Sequence, residues 1–177
     1  MKMQIALASG SVTDSKEFKQ WFKNSVCVKA GKPRVLYHST AAKFEEFSHV
    51  YTVGQMGFHL GTAAQAKYIS AKIRSNGKRS RLLKVYASIQ NPIRLEDLGG
   101  WQGYAVQDMV NKAAGLKLLG SGRDSELRRA LIKAGYDGVV YENRFEGKGD
   151  SFIAFYPNQI KLVDNTTFNA NSNILSE

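Results

Sequence analysis

Three short apolar runs near the end of the chain constrain the fold more than any other feature; they lie at 138–141, 151–155 and 160–163. Each run has the length of a buried β-strand and is too short for a core helix. Turn-forming residues separate the runs, with an Asn- and Gly-containing stretch at 143–150 and Pro-Asn at 157–158. We therefore predict three β-strands joined by loops in this part of the chain.

The first helix is predicted from an aromatic stripe. Phe18, Trp21 and Phe22 recur at the i, i+3, i+4 spacing that places side chains on one helix face. Asp14 or Ser15, just before them, can accept a hydrogen bond from the first turn and so cap the helix. The stripe predicts that this helix packs on the core.

Other elements follow from caps and from apolar periodicity. Thr62 and Gln65 have the spacing of a capping box, which predicts a helix to about residue 75. Residues 81–89 place apolar side chains at every second position, which favours a strand. The remaining predicted elements are strands over 34–38 and 58–60, and helices over 104–114 and from 124 or 125 to 134.

The order of these elements predicts an α+β fold. Strands and helices are interspersed, but they lack the regular βαβ spacing and the glycine fingerprint of a doubly wound sheet. A chain of 177 residues with 43% hydrophobic content can bury one sizeable core, and no linker divides it. We predict a single domain over 1–163 and a polar tail over 164–177 that frays.

Several classes of protein are disfavoured by composition. The only cysteine, Cys27, cannot form an internal disulfide, and residues 1–10 hold an apolar run too short for a secretory signal. No stretch approaches the roughly 20 apolar residues of a membrane span. We expect a cytoplasmic protein, or one delivered into a target-cell cytoplasm by a non-Sec route. His38, His49 and His59 lack the spacing of a zinc helix, so we predict no metal.

Positive charge is concentrated in one part of the chain. The formal net charge is +10, and residues 67–84 contain seven basic side chains and no acidic one. Such a run creates a positive surface on any fold, and RNA, DNA or an acidic protein surface are the partners it would suit. The seven residues are Lys67, Lys72, Arg74, Lys78, Arg79, Arg81 and Lys84.

Three segments together carry a resemblance to a known family. These are YHST at 37–40, GFHLGTAAQAKY at 57–68 and YDGVVYENRFEGKGDSFIAFYPNQIK at 136–161. In this order they resemble the ADP-ribosyltransferase domains of phage polyvalent proteins and bacterial toxins, and more distantly the catalytic domain of poly-ADP-ribose polymerases. The resemblance covers roughly 18–163. It implies a split β-sandwich that binds NAD, as substrate, in a crevice between two small antiparallel sheets.

The resemblance also implies roles for the polar triplet at the end of the first predicted strand and for the second strand. His38 would hydrogen-bond the adenine-side ribose, the Ser39 backbone would hold the nicotinamide amide, and Thr40 would assist. Phe58 and His59 would form the opposite wall, although His59 stands where the polymerases have a tyrosine.

Tyr68 is a further candidate for the NAD site by resemblance. It lies on the helix after the second strand, where related enzymes place an aromatic that stacks on nicotinamide. We therefore expect Tyr68 to face the NAD crevice.

The catalytic carboxylate is predicted within the loop before the penultimate strand. By the resemblance, Ser151 would occupy the position of the polymerases' glutamate, and a serine cannot act as a base. Nearby acids are Glu142, Glu146 and Asp150, and we favour Glu146 because it lies in a Gly-rich loop from which a long carboxylate can reach the ribose. The pattern of Asn143, Glu146 and Ser151 resembles that of the phage-type relatives. We therefore predict Glu146, Asn143 and Glu142 as the catalytic residues and Ser151 as part of the NAD site.

The activity that the resemblance implies is a mono-ADP-ribosyltransferase in a toxin, a phage protein or a defence enzyme. Its acceptor could be RNA, DNA, an acidic protein surface or an arginine side chain. Two alternatives remain: a non-catalytic nucleic-acid-binding module on the same fold, and an enzyme similar to the NAD-dependent RNA 2′-phosphotransferases.

Overall fold

The computed structural model describes residues 11–177, which form four helices and nine strands. The predicted absence of a signal segment at 1–10 lies outside these residues. The helices are α1 (Lys16–Phe22), α2 (Ala63–Ser75), α3 (Tyr104–Ala114) and α4 (Asp124–Lys133). The strands are β1 (Val28–Lys29), β2 (Lys32–Pro33), β3 (Leu36–Thr40), β4 (Phe58–Leu60), β5 (Arg81–Ala87), β6 (Pro92–Arg94), β7 (Gly138–Glu142), β8 (Asp150–Ala154) and β9 (Ile160–Leu162).

Two main sheets organise the chain, and the predicted α+β class is confirmed. One sheet has the strand order β3-β5-β9 and is antiparallel throughout. The other has the order β4-β8-β7-β6, in which only the β6 and β7 pair is parallel. Strands β1 and β2 form a separate small hairpin. The last three predicted strands therefore divide between the sheets, since β7 and β8 join one and β9 joins the other.

The two sheets share a hydrophobic core. Leu36, Val85 and Ile160 from the three-stranded sheet are fully buried in one cluster with Phe58 and Phe152 from the four-stranded sheet. These side chains occupy alternate strand positions, so that each strand presents one face to the other sheet.

The four-stranded sheet is also covered on its opposite face. Val139 and Ile153 point away from the other sheet and pack with Val110 of α3 and with Leu127 and Leu131 of α4. Burial on both faces explains why 138–141 and 151–155 are continuous apolar runs without alternation.

The N-terminal caps predicted for α1 and α2 are present in the structure. Ser15 caps α1, and its hydroxyl accepts from the Phe18 N–H. The capping box of Thr62 and Gln65 is present at the start of α2, which ends at Ser75 as expected.

Some strand boundaries differ from the prediction. Strand β3 spans Leu36–Thr40, so it begins and ends two residues later than predicted, and the polar triplet beginning at His38 forms its last three residues. Strand β6 was not predicted, because Asn91 followed by Pro92 signals the end of a strand. Pro92 instead begins a new strand at the edge of the four-stranded sheet, a position that tolerates a missing N–H.

The segment after Asp164 does not fray as predicted. Phe168 is buried against Phe18 and Trp21, and Leu175 enters the core between the sheets. The burial of Phe168 and Leu175 is enough to pack residues 164–177 against the domain, although most of these residues are polar. The limits of the predicted domain, 1–163, stay a prediction.

A buried lysine also holds this C-terminal segment. The Nζ of Lys161 donates to the carbonyls of Ser172 at 2.9 Å and Ile174 at 2.8 Å, and burial lowers its pKa. No helix within 11–177 combines the length and the apolarity that crossing a membrane requires.

Candidate active site

A cleft of about 710 Å³ opens beside β3 and β4. Its walls are β3, the loop at 41–57, β4, the inner face of α2 and the loop that follows β7. Most of the residues predicted for the NAD site line this one cleft: His38, Ser39, Thr40, Phe58, His59, Glu146 and Ser151. The structure therefore brings together side chains that are more than 100 residues apart in sequence.

The cleft exists because pairing between β3 and β4 stops after one bridge. Tyr37 and Gly61 exchange two backbone hydrogen bonds, at 2.9 and 3.0 Å. In a continued ladder, the Ser39 N–H would next donate to the His59 carbonyl. Instead, the His38 ring donates to the His59 carbonyl through Nδ1 at 2.8 Å. Because residues i and i+2 of a strand direct their backbone to the same side, the Ser39 N–H and C=O face the cleft.

His38 presents a hydrogen-bond acceptor to the cleft. A carbonyl can only accept, so Nδ1 carries the proton in its bond to His59. Burial lowers the pKa of His38, which keeps the ring neutral near pH 7. Nε2 therefore carries a lone pair, and it makes no hydrogen bond to any residue of 11–177. Phe47 packs edge-on against the ring, with centroids 5.0 Å apart, and fixes its orientation.

The Ser39 side chain serves a different purpose from its backbone. Its hydroxyl donates to the Ala66 carbonyl at 2.6 Å and accepts from the Ser70 hydroxyl at 2.7 Å. Both partners are on α2, so this serine joins the helix to the edge strand. Its backbone, and not its hydroxyl, is available to a ligand.

Phe58 and His59 form the wall opposite β3. Phe58 is buried and stacks on the ring of His49, with centroids 4.4 Å apart. His59 Nε2 donates to the Gln55 carbonyl at 2.8 Å, and its Nδ1 accepts from the Tyr141 hydroxyl at 3.2 Å. Burial lowers the pKa of His59 to about 4, so this histidine is neutral near pH 7. Burial and, next, the charge of Glu146 raise the pKa of Tyr141.

Asn143 organises the loop that carries Glu146. Its Oδ1 accepts from the Glu146 N–H at 2.7 Å and from the Phe145 N–H at 3.1 Å. Its Nδ2 donates to Glu146 Oε2 at 3.0 Å and to Ser151 Oγ at 3.1 Å. Glu146 Oε2 is thereby held by Asn143, while Glu146 Oε1 has no hydrogen-bond partner among residues 11–177. Glu46 also lines the cleft, but it is an exposed residue of the loop at 41–57, whereas hydrogen bonds from Asn143 hold Glu146 in position.

Gln65 fixes this loop against α2. The side chain is 2% exposed, and its Nε2 donates to the carbonyls of Gly147 and Gly149, each at 2.9 Å. Its Oε1 accepts from the Thr62 N–H at 2.6 Å and from Ser151 Oγ at 3.0 Å. One buried amide therefore connects the helix start, the glycine-rich loop and the strand that follows.

Ser151 has a connecting role in this network. It is 2% exposed, it donates to Gln65, and it accepts from Asn143. Its hydroxyl therefore connects the amides of Gln65 and Asn143, and the Glu146 carboxylate, five positions earlier, is held by the same network.

The other two acids lie away from the cleft. Asp150 begins β8 and forms two hydrogen bonds with the Arg94 guanidinium, at 2.9 and 3.2 Å. Glu142 is exposed and lines a second surface cleft together with Arg94 and Arg144. The structure thus separates Glu142, a predicted catalytic residue, from His38 and Glu146.

Tyr68 is not among the residues that line the cleft. It lies on the outer side of α2 with 45% of its surface exposed, and Lys72 Nζ is 5.5 Å from its ring centroid. The helix turns Ile69 and Ile73 toward the cleft instead. The predicted stacking of nicotinamide on Tyr68 thus has no geometric support here.

Gln65 and Tyr141 are two polar residues of the site that the sequence did not predict; Glu46 and Gln55, in the loop before β4, also line the cleft. Gln65 was predicted only as half of a capping box, a local signal that says nothing about the loop it would meet more than 80 residues later. Tyr141 lies in an apolar run, a pattern that is typical of core residues. No group of three His, Cys, Asp or Glu side chains in the described part of the chain could hold a metal ion.

The cleft thus combines the open edge of β3 with the Glu146 carboxylate, which lies on the loop after β7. The chain belongs to the ADP-ribosyltransferase domains. The family whose model matches is described as ADP-ribosyltransferase in polyvalent proteins, and the match covers residues 29–170, which is most of the chain. No curated protein and no solved structure matches the chain.

The role of Gln65 can be tested by changing its amide to a carboxylate. In Gln65→Glu the two amide protons that bind the loop carbonyls are lost, and a buried charge faces Gly147 and Gly149. We expect the free energy of unfolding to fall by about 3 to 5 kcal/mol, measured by urea denaturation. The matched control Gln20→Glu, exposed on α1, should change it by less than about 0.5 kcal/mol. Equal effects of the two substitutions would contradict the bridging role.

The lowered pKa of His59 predicts a pH dependence of stability. Its pKa in the folded protein, about 4, lies below the ordinary value of 6.5, so its contribution to stability is complete above pH 6.5 and is lost as the pH falls toward 4. Between pH 7 and pH 4.5 the wild type should lose on the order of 2 kcal/mol more unfolding free energy than His59→Gln. Urea denaturation at both pH values measures this difference. Parallel losses in the two proteins would show that His59 titrates normally.

Proposed function

We propose that this chain is a mono-ADP-ribosyltransferase that cleaves NAD in the cleft and transfers ADP-ribose to a macromolecule. The observation that carries the proposal is that His38 Nε2, the Ser39 backbone edge and the Glu146 carboxylate face one cleft within a chain of the ADP-ribosyltransferase family. The same proposal interprets the two sheets that flank the cleft as the split β-sandwich of this class.

The edge of β3 suits the nicotinamide end of NAD. A carboxamide has an N–H₂ donor and a C=O acceptor side by side, and the Ser39 C=O and N–H offer the complementary pair. The neutral His38 can accept a hydrogen bond from a ribose hydroxyl through Nε2. Thr40, at the end of the strand, and the apolar wall at Phe58 complete this half of the cleft.

The chemistry needs a carboxylate near the ribose. In the reaction, the bond from ribose C1′ to the nicotinamide nitrogen breaks, and nicotinamide leaves with the bonding electrons. Positive charge develops on the ribose, and the Glu146 carboxylate stabilises it. A lone pair of the acceptor forms the new bond to C1′, and Glu146 Oε1 accepts the proton that the acceptor releases.

The hydrogen bonds around Glu146 support this role. Asn143 donates to Glu146 Oε2 at 3.0 Å, and Gln65 holds the loop that carries Glu146. Glu146 Oε1 is therefore fixed in position, and within the described residues Glu146 forms no ion pair. A fixed carboxylate needs little reorganisation as charge develops. Asp150 is unsuited to this task because Arg94 occupies both of its oxygens.

The family description supports a setting for this activity. Polyvalent proteins are the context in which the matched family occurs. We place the activity in a toxin, phage or defence protein that acts in a cytoplasm, its own or that of a target cell.

The isosteric substitution Glu146→Gln tests the proposed reaction. Its side-chain oxygen can still accept from Asn143, so the melting temperature should stay unchanged while nicotinamide release and transfer of labelled ADP-ribose fall by about 100-fold or more. Both are measured with biotin-labelled NAD and cell lysate. The matched control is Glu142→Gln, which removes a neighbouring exposed carboxylate outside the cleft and should keep full activity.

Other results would redirect the proposal. Full activity of Glu146→Gln with loss in Glu142→Gln would move the catalytic role to Glu142. If the wild type releases no nicotinamide in any lysate fraction, the chain is a non-catalytic module on this fold.

A further inference from the structure

The outer face of α2 and the residues after it form a strongly positive surface. We call this the basic surface; it consists of Lys67, Lys72, Arg74, Lys78, Arg79, Arg81 and Lys84. All seven side chains are exposed. Residues 67–84 contain no acidic side chain, so no carboxylate from this segment reduces the local potential.

None of these seven residues takes part in an ion pair within 11–177. The salt bridges of that part of the chain are Arg94 with Asp150, Arg123 with Glu126 and Arg144 with Glu96. The basic surface therefore lacks an internal counter-charge, and an anion that neutralises it has to come from another molecule.

The basic surface borders the proposed NAD cleft. Helix α2 turns Ile69 and Ile73 into the cleft and turns Lys72 and Arg74 to solvent, so that one helix width, about 10 Å, separates the two. At the far end, Arg81 donates to the carbonyl of Ala42, which lines the cleft. A chain lying along the basic surface would pass the mouth of the cleft.

The composition of the surface favours phosphate over an acidic protein. Protein interfaces have an apolar, aromatic centre and are depleted in lysine. On α2, the exposed residues near the basic ones are small, Ala64, Ala71 and Ser75, together with Tyr68. Leu82, on β5, is the other large apolar residue exposed in 67–84, and two such residues on separate elements do not form an apolar centre. Lysine and arginine without an apolar centre are typical of contacts to a nucleic-acid backbone.

Tyr68 favours a single strand over a duplex. Its ring is 45% exposed and lies beside Lys72, whose Nζ is 5.5 Å from the ring centroid. An exposed ring within a basic surface is the arrangement on which an unpaired base can stack while neighbouring cations hold its phosphates. A duplex offers no free base to such a ring.

We propose that the basic surface binds single-stranded nucleic acid through its phosphates and through stacking on Tyr68, and holds it beside the cleft as the acceptor. The acceptor role rests on the proposed function, whereas binding does not. In the transfer, a base or sugar heteroatom bonds to C1′ as nicotinamide leaves, and its proton passes to Glu146.

Binding is tested by fluorescence anisotropy with fluorescein-labelled 20-nucleotide oligo-uridine and oligo-deoxythymidine over a series of salt concentrations. The test variant is Lys67→Gln/Lys72→Gln/Arg74→Gln. The matched control, Lys117→Gln/Lys133→Gln/Arg129→Gln, removes the same three charges at exposed positions on the far side of the four-stranded sheet. The slope of log K against log salt is negative, and three lost phosphate contacts should make it less negative by about 2, whereas the control should leave it unchanged.

A second variant separates stacking from charge. Tyr68→Ala should weaken binding by about 5- to 150-fold with no change in the salt slope, because stacking releases no counterions. A duplex of the same length should bind Tyr68→Ala and wild type equally. Poly-glutamate is the competitor that represents an acidic protein.

The outcomes divide clearly. The proposed binding would be overturned by any of three results: no oligonucleotide binding at low salt, equal salt slopes for the two triple variants, or displacement by poly-glutamate at equal charge concentration.

The acceptor role would be supported if the wild type places labelled ADP-ribose on the oligonucleotide and if this label is lost with the test variant but not with the control. Label on protein alone would overturn that role. Failure of the proposed function appears separately, as absence of nicotinamide release, and leaves the anisotropy result intact.

Discussion

The side-chain amide of Gln65 is the contact on which the geometry of the cleft depends. It is buried, and it binds at once the first turn of α2, the carbonyls of the glycine-rich loop and the hydroxyl of Ser151. Without these bonds, buried carbonyl and N–H groups would lose their partners, which is costly in a region closed to water. Because Asn143 then orients Glu146 within the same loop, the position of the carboxylate is fixed by hydrogen bonds between amides and not by a salt bridge.

One hydrogen bond opens the cleft, and two neutral histidines keep its polar groups in defined roles. The His38 ring occupies the His59 carbonyl, which interrupts the ladder between β3 and β4 and leaves the backbone of Ser39 unpaired at that edge. The lowered pKa values of His38 and His59 keep both rings neutral, so each nitrogen has one defined role as donor or acceptor. Fixed dipoles therefore surround the Glu146 carboxylate, an arrangement suited to stabilising a developing positive charge.

The sequence predicts the elements well where the signal is local. The capping box of Thr62, the aromatic stripe of α1 and the apolar runs of β7 and β8 each follow from short-range patterns, and the α+β class follows from their order. The predictions that fail concern features that depend on contacts between residues far apart in the sequence. Pro92 starts an edge strand because β7 is there to pair with it, and Phe168 docks because α1 offers a partner. Tyr68 illustrates the same limit, since helical spacing alone did not show which side of α2 faces the cleft.

In the proposed function, NAD occupies this cleft with its nicotinamide ribose at Glu146. A crystal structure of the protein with a carbocyclic NAD analogue, which cannot be cleaved at C1′, tests this placement. We expect the carboxamide to pair with the Ser39 N–H and C=O, a ribose hydroxyl to donate to His38 Nε2, and C1′ to lie about 3 to 4 Å from Glu146 Oε1. An analogue bound elsewhere, or bound here with its nicotinamide ribose beyond reach of Glu146, would rule out this placement.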